Sequence, residues 1–105
     1  MKIAVTSTGN TMDAGIDPRF GRCSYFVVYD TESKVSEFIQ NPNKDANEGA
    51  GPASVQLLAS RKVGKVVSGE FGMKIKPLLD SLKIQMITIK ETDTKISQII
   101  DMLNH

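Results

Sequence analysis

Two arginines flank a glycine in the short polar segment Arg19-Phe20-Gly21-Arg22. A guanidinium group carries a permanent charge and a fixed fork of N–H donors, so two of them in one turn could hold a phosphate, a carboxylate or a sulfide-rich cluster. The alternative is that Phe20 packs into the core while the arginines form ion pairs with Asp17 or other surface aspartates, which are common and weak. Both interpretations remain open from these residues alone.

Cys23 follows directly and is the sole cysteine of the chain. The neighbouring Arg22 cation would favour its thiolate, the form that binds metal or attacks a substrate. The alternative is a small buried apolar side chain at the mouth of a strand, which is how free cysteines usually behave. One cysteine excludes an internal disulfide, and also a four-thiolate cluster within one monomer. A catalytic Cys–His pair is disfavoured because the sole histidine is the terminal His105.

Glycine-rich turns precede two predicted helices. Glu48, Gly49 and Gly51 lie before the first, and Gly69 and Gly72 lie before the second. Free backbone amides at a helix start form a ready anion site. Neither turn has the lysine of a Walker loop or the spacing of a dinucleotide fingerprint, so the nucleotide signal is weak. The alternative is that these glycines only turn the chain.

Composition limits the function classes. With 105 residues, we expect a single domain spanning residues 1–105. A net charge of +1 provides no global field for nucleic acid, and the lysines are dispersed without interleaved aromatic residues. No apolar run approaches the roughly 20 residues of a membrane span. The apolar segment at the N-terminus, Met1 to Val5, is too short for a signal peptide. We therefore expect a cytoplasmic protein that binds neither nucleic acid nor membrane.

Apolar patterning predicts the element order β-β-β-α-β-α-β-α. The predicted strands are Lys2–Thr6, Tyr25–Tyr29, Lys34–Ile39, Lys65–Val67 and Gln85–Ile89. The first predicted helix runs from Pro52 to about Lys62 and is closed by Gly64, and the second runs from near Pro77 to Leu82. The third begins after a cap at Asp93 or Thr94 and has Ile96, Ile99, Ile100 and Leu103 on one face. Alternating strands and helices imply a parallel sheet with helices on its faces, extended by an antiparallel hairpin.

Ligands in such sheets gather at the carboxyl ends of the parallel strands. Three loops should meet there: Ser7–Asn10, Ser68–Gly72 and the segment after Ile89. The segments Asp17–Cys23 and Asn47–Gly51 should lie beside them. Topology therefore predicts a site at this edge of the sheet.

The motif Arg19-Phe20-Gly21-Arg22 runs into the aromatic strand Tyr25-Phe26-Val27-Val28-Tyr29-Asp30, and is followed by Gly49-Ala50-Gly51 and by Val66-Val67-Ser68-Gly69-Glu70-Phe71-Gly72. This combination resembles the nitrogenase iron–molybdenum cofactor biosynthesis (dinitrogenase accessory) family, from Ile3 to about Ile89. The resemblance implies an RNase H-like α/β fold of three layers. Its five-stranded mixed sheet has the order 3-2-1-4-5, with one strand antiparallel and helices on both faces.

The same resemblance implies a non-enzymatic carrier. Its cargo would be the iron–molybdenum cofactor, an iron–sulfur precursor or another metal–sulfur cluster, taken from a donor protein and passed to an acceptor, by a monomer or a weak homodimer. From the resemblance together with the residue patterns above, we expect the site to contain Arg19, Gly21, Arg22, Cys23, Glu48, Gly49, Gly51, Gly69 and Gly72. Among these, Cys23 is the candidate metal ligand, on the chemistry of its thiol and not on the resemblance.

Members of the family often carry a histidine just before the Gly-Ala-Gly turn, where this chain has Asn47 and Glu48. That leaves two sources of a soft ligand: Cys23 itself, or two thiolates supplied by a dimer.

Two other functions are considered. A small regulatory module could bind a phosphorylated metabolite through the same glycine-rich loops. An RNase H-like nuclease is disfavoured, because metal-ion catalysis needs several carboxylates at the sheet ends. The predicted parallel strands lead instead into Ser7, Ser68 and Lys90.

Overall fold

A computed structural model describes residues 1–104 and contains one mixed five-stranded sheet. The strands are β1 (Lys2–Ser7), β2 (Tyr25–Asp30), β3 (Ser36–Gln40), β4 (Val63–Ser68) and β5 (Gln85–Thr88). Their order is β3-β2-β1-β4-β5. Strand β2 pairs antiparallel with both β1 and β3, whereas β1–β4 and β4–β5 pair in parallel. The predicted strand order and the single antiparallel strand are confirmed.

Three helices cover the two faces of this sheet. They are α1 (Ala50–Ser60), α2 (Ile75–Ser81) and α3 (Ile96–Leu103). Residues Val55 and Leu58 of α1 and Leu79 of α2 share one apolar core with Phe26 and Val66 of the sheet. Helix α3 packs on the opposite face, in a second core. The predicted three-layer arrangement is confirmed, and among residues 1–104 no helix is long and apolar enough to cross a bilayer.

Helix α1 differs from its prediction at both ends. It begins at Ala50, so Pro52 occupies the third helical position, where its missing N–H still costs no intrahelical bond. Gly49 precedes the helix with φ at 75°, a left-handed conformation that glycine adopts without strain. The helix is closed by Lys62, with φ at 61°, and not by Gly64, which lies inside β4. Lysine therefore takes the left-handed position that glycine usually fills.

The hairpin and α2 also shift relative to their predictions. Lys34 has φ at 63° and its N–H donates to the Asp30 carbonyl at 2.8 Å, so it belongs to the turn and β3 begins only at Ser36. Helix α2 begins at Ile75, before the predicted start near Pro77, because proline is tolerated throughout the first turn. These shifts leave the element order unchanged.

The last helix confirms the predicted apolar face but not the predicted cap. Ile96, Ile99 and Ile100 are buried in the second core, with Leu103 packed against it. Lys95, instead of Asp93 or Thr94, is the residue that precedes the helix. The Gln98 side chain accepts the Lys95 backbone N–H at 2.8 Å, and this bond sets the helix start.

Candidate functional site

The segment after β1 lies across the carboxyl ends of β1 and β4. The Asp17 N–H donates to the Thr6 carbonyl at 2.9 Å, and Thr6 Oγ1 lies 2.7 Å from the Asp17 carbonyl oxygen. Thr6 Oγ1 is also 3.1 Å from Ser68 Oγ, and the Gly69 N–H donates to the Asp17 carbonyl at 3.4 Å. Buried hydroxyls at the strand ends therefore hold this segment at the edge that topology predicted.

Glycine at two positions allows the loops to approach one another closely. A Cβ on Gly21 would stand 2.9 Å from Gly51 Cα, and a Cβ on Gly69 would stand 2.5 Å from Pro18 Cα. Real Cβ atoms do not reach such distances from backbone atoms, so these positions need glycine. The glycines of the site therefore join three loops, which is a third role beside binding anions and turning the chain.

These loops enclose an open cleft of about 320 Å³, named here the glycine cleft. Its walls come from three segments at the carboxyl edge: Arg19–Arg22, Gly49–Pro52, and the turn before α2. The lining residues are Arg19, Phe20, Gly21, Arg22, Gly49, Ala50, Gly51, Pro52, Glu70, Gly72 and Ile75. Six of the predicted site residues are thus brought together, namely Arg19, Gly21, Arg22, Gly49, Gly51 and Gly72.

Three predicted site residues lie outside the lining of the cleft. Glu48 is exposed to solvent, and Gly69 is buried against Pro18. Cys23 is fully buried in the core beneath α1 and α2. Gly69 has a structural role instead, because the absence of a Cβ lets the backbone of Pro18 pack directly against it.

Arg19 is held by a buried carboxylate. Arg19 Nε lies 3.3 Å from Asp17 Oδ1, which also accepts the Arg19 backbone N–H at 2.9 Å. The Asp17 side chain is only 2% exposed, whereas that of Arg19 is 56% exposed. The predicted aspartate pairing is confirmed for Arg19. The guanidinium nevertheless lines the cleft and faces solvent, so it remains accessible to an anion.

Arg22 has a different partner. Its Nη1 donates to the Ala46 carbonyl at 2.6 Å and to the Lys44 carbonyl at 3.3 Å. The guanidinium therefore braces the loop that leads to α1, and the expected aspartate pairing is wrong for this residue. Arg22 still lines the cleft, and its guanidinium keeps its positive charge because its partners are neutral carbonyls.

Cys23 is a core residue. Its Sγ donates to the Phe20 carbonyl at 3.4 Å and lies 3.8 Å from Asn41 Nδ2. The pKa of the thiol is raised to about 12, chiefly by burial and also by the nearby Asp17 carboxylate. The hydrogen bond from Asn41 lowers the pKa and so opposes both effects. The expectation that Arg22 would favour the thiolate is wrong, because burial and the Asp17 carboxylate raise the pKa of the thiol while the Arg22 guanidinium bonds to the Ala46 carbonyl. The position matches the buried-apolar alternative.

Glu70 lies in the glycine-flanked turn before α2, where the sequence left it as either an oxygen ligand or a solvated charge. It contributes an exposed carboxylate to the cleft. Ile75 was missed because α2 was predicted to begin later. Phe20 lines the cleft, and its ring packs at a tilt against the rings of Phe26 and Phe71, with centroid distances of 5.9 and 5.7 Å. The sequence signal for Glu70 was its place in a glycine-flanked strand-to-helix turn.

The charges of the cleft favour an anion. Two guanidiniums and one carboxylate line it, and the N-terminus of α1 opens into it with amides that have no partner within the helix. Among residues 1–104, no group of three or more His, Cys, Asp or Glu side chains is arranged to hold a metal ion. The donor set thus suits charge and hydrogen-bond recognition, and not side-chain ligation.

The whole chain, residues 1–105, matches the family described as "Dinitrogenase iron-molybdenum cofactor". The chain belongs to this family. The resemblance seen in the arginine motif and the glycine turns is confirmed.

The chain is also similar to individual proteins along most of its length. The apo form of the orange protein from Desulfovibrio gigas superposes with a TM-score of 0.89 at 30% identity, over 97% of this chain and 85% of that one. A protein from Thermotoga, provisionally named NifB, gives a TM-score of 0.82 at 29% identity over the same shares. An uncharacterized protein of Methanocaldococcus jannaschii is 29% identical over 97% of this chain and 84% of its own length.

Proposed function

We propose that this protein is a non-enzymatic carrier of an anionic metal–sulfur cluster, of the iron–molybdenum or iron–sulfur type. The single observation that carries the proposal is the glycine cleft, which gathers the Arg19 and Arg22 guanidiniums and the N-terminus of α1 around one opening. Membership of a family described by the iron–molybdenum cofactor supports this class of cargo. The cluster is cargo that the chain delivers, not a resident cofactor.

The cleft would hold such a cargo through its outer atoms. Guanidinium and amide N–H groups donate to the sulfides and oxygens of an anionic cluster, as they do to other oxyanions. Among residues 1–104, no group of three or more His, Cys, Asp or Glu side chains is arranged to hold a metal, so in this proposal hydrogen bonds and charge contacts carry most of the binding. Such contacts suit a carrier, because they are broken readily when the cargo passes to an acceptor protein.

The two arginines have unequal roles in this proposal. Arg19 presents an exposed guanidinium that Asp17 holds in place, so it is the cation that contacts the cargo. Arg22 supplies charge while it braces the loop at Ala46. The thiol of Cys23 supports the cleft wall from the core side and, at its raised pKa, stays protonated at neutral pH.

The direct test is anaerobic reconstitution with iron, sulfide and molybdate, followed by desalting and a visible spectrum. We expect a chromophore on the wild type that Arg19→Gln weakens. Arg61→Gln is the matched control, because Arg61 is also in an ion pair with a carboxylate, 3.2 Å from Glu37, at the other end of α1. A colourless wild type, or equal loss in both variants, contradicts the proposal.

A second candidate is a regulatory module for a phosphorylated metabolite, favoured by the same helix N-terminus at the cleft. Thermal-shift measurements with phosphate esters distinguish the two. A ligand present at a concentration 100 times its dissociation constant stabilises the folded state by about 2.7 kcal/mol. Stabilisation by a phosphate ester without any chromophore would favour this second function over the carrier.

A further inference from the structure

A cavity lies on the other face of the sheet, between β5 and α3. It measures about 740 Å³. Its apolar lining consists of Val67, Ile87, Ile89, Ile99, Met102 and Leu103. We call it the apolar groove. None of these residues belongs to the glycine cleft.

The groove exists because one face of the sheet has less helix than the other. Helices α1 and α2 together cover one face, while α3 alone packs on the opposite face among residues 1–104. Parallel strands such as β4 and β5 are normally covered on both faces. Beside α3, Ile87 and Ile89 remain only partly buried, and Met102 is 55% exposed. The outer layer is therefore incomplete over β5.

One end of the groove is acidic. Glu91 and Asp93, both exposed, line it where the chain leaves β5 at the carboxyl edge. Within the described chain neither carboxylate lies in an ion pair. Lys90 and Lys95 adjoin this segment in sequence but do not line the groove. The site thus combines an apolar floor with a negatively charged end.

We propose that the apolar groove docks an amphipathic helix of a partner protein, with an apolar stripe on β5 and α3 and lysine or arginine at the end near Glu91 and Asp93. A helix completes the missing layer next to α3, and helix-in-groove recognition uses apolar anchors at i, i+3, i+4 and i+7. The basic end follows from charge complementarity. The inference stands whether or not the glycine cleft carries a cluster.

A second copy of this chain is a poorer occupant. Large apolar side chains exposed among residues 1–104 are scattered, and no helix in that range carries more than one of them. The chain therefore offers no unburied apolar helix stripe to fill the groove of another copy.

The probe is a synthetic amphipathic helix of about 14 residues with leucines at the anchor spacing and lysines at one end. Binding to the ¹⁵N-labelled full chain is followed by NMR shifts. We expect shifts centred on Ile87, Ile89 and Met102, and a peptide with glutamates replacing the lysines should bind about 10-fold more weakly. The paired variant Glu91→Lys and Asp93→Lys should reverse that preference.

Met102→Glu should weaken binding of the lysine-bearing peptide by about 10-fold or more, because it places a charge at the apolar rim of the groove. Met73→Glu is the matched control: Met73 is 88% exposed, outside the groove, and its substitution should leave binding unchanged. Absence of binding, equal loss in both variants, or no reversal by the charge swap overturns the proposal. Concentration-dependent self-association that shifts the same amides also overturns it, in favour of a second copy.

Discussion

The glycine cleft and the apolar groove reach the same edge of the sheet from opposite faces, and they are built differently. The cleft is formed by backbone passing backbone, at Gly21 against Gly51 and Gly69 against Pro18. The groove is formed by side chains with no layer above them, and Met102 at its rim is half exposed. The first site is therefore part of what holds the loops together, whereas the second is surface that the fold leaves uncovered.

Their charges differ as well. The cleft contains two guanidiniums against one carboxylate, whereas the lining of the groove contains Glu91 and Asp93 and no basic residue. An anion and a basic helix would thus be directed to different faces. The difference suggests that cargo and partner need not compete for one surface.

The largest effect should come from the backbone contacts of the cleft. Gly69→Ala would push Pro18 away from the end of β4, and we expect a loss of about 2–3 kcal/mol in the free energy of unfolding. Gly72→Ala is the control, because its added Cβ meets only Ile75 Cγ1 at an ordinary 3.8 Å and should change stability by less than about 1 kcal/mol. Urea denaturation followed by circular dichroism measures both. Equal effects would mean that the cleft is not held by close backbone contact.

Cys23 tests the core side of the cleft wall. Cys23→Ala should cost about 1–2 kcal/mol at neutral pH, through lost packing. The pKa of the thiol is about 12 in the folded chain and 9.0 in its reference state, so the folded chain holds this proton more tightly. The stability that this shift contributes is complete below pH 9 and is lost as the pH rises towards 12.

The measurement for Cys23 is the difference in unfolding free energy between wild type and Cys23→Ala across that pH range. Contributions that are common to both proteins cancel in this difference. A difference that narrows above pH 9 supports a buried neutral thiol. One that grows with pH would indicate a stabilised thiolate, as a metal-binding cysteine would have.

Glu70 provides a smaller, electrostatic test of the cleft. Glu70→Gln removes the one carboxylate of the lining, so an anionic cargo should bind about 3-fold more tightly, within the range of an exposed charge interaction. The salt concentration that removes half of the reconstituted chromophore should rise accordingly. Asp101→Asn, an equal charge change at an exposed position on α3, should leave it unaltered. Equal increases would assign the effect to net charge.

The smallest effect is expected at the groove. Met102→Glu should change the free energy of unfolding by less than about 0.5 kcal/mol, because the side chain is already half exposed. The same urea experiment checks this. A loss above about 1 kcal/mol would show that the rim of the groove supports the fold, and the contrast with the cleft would fail.

Much of the fold could be predicted because local patterns agree with the tertiary arrangement. The apolar spacing of Ile96, Ile99 and Ile100 predicted the buried face of α3, and the short connection after β2 predicted an antiparallel hairpin. Element ends were predicted less well. Lys34 and Lys62 adopt positive φ without any sequence signal for it, because the surrounding hydrogen bonds hold a lysine where glycine is usual.

The position of the site could be predicted from the sequence better than its side-chain contacts could. Topology predicted the carboxyl edge, and the arginine and glycine motifs predicted most of the cleft lining. The contact of Arg19 with Asp17, two residues away, was among the alternatives that local spacing offered. That Arg22 donates to the Ala46 carbonyl, 24 residues away, depends on a separate loop and could not be derived from local spacing.

By itself the sequence determined the family, the order of the elements and the types of side chain available at the sheet edge, since all three depend on local patterns. Only the tertiary structure decided what those side chains do. It buried Cys23, so that desolvation keeps its thiol protonated, and it left one face of β5 incompletely covered. Burial and close approach arise from segments distant in the chain, which is why they are properties of the packed molecule.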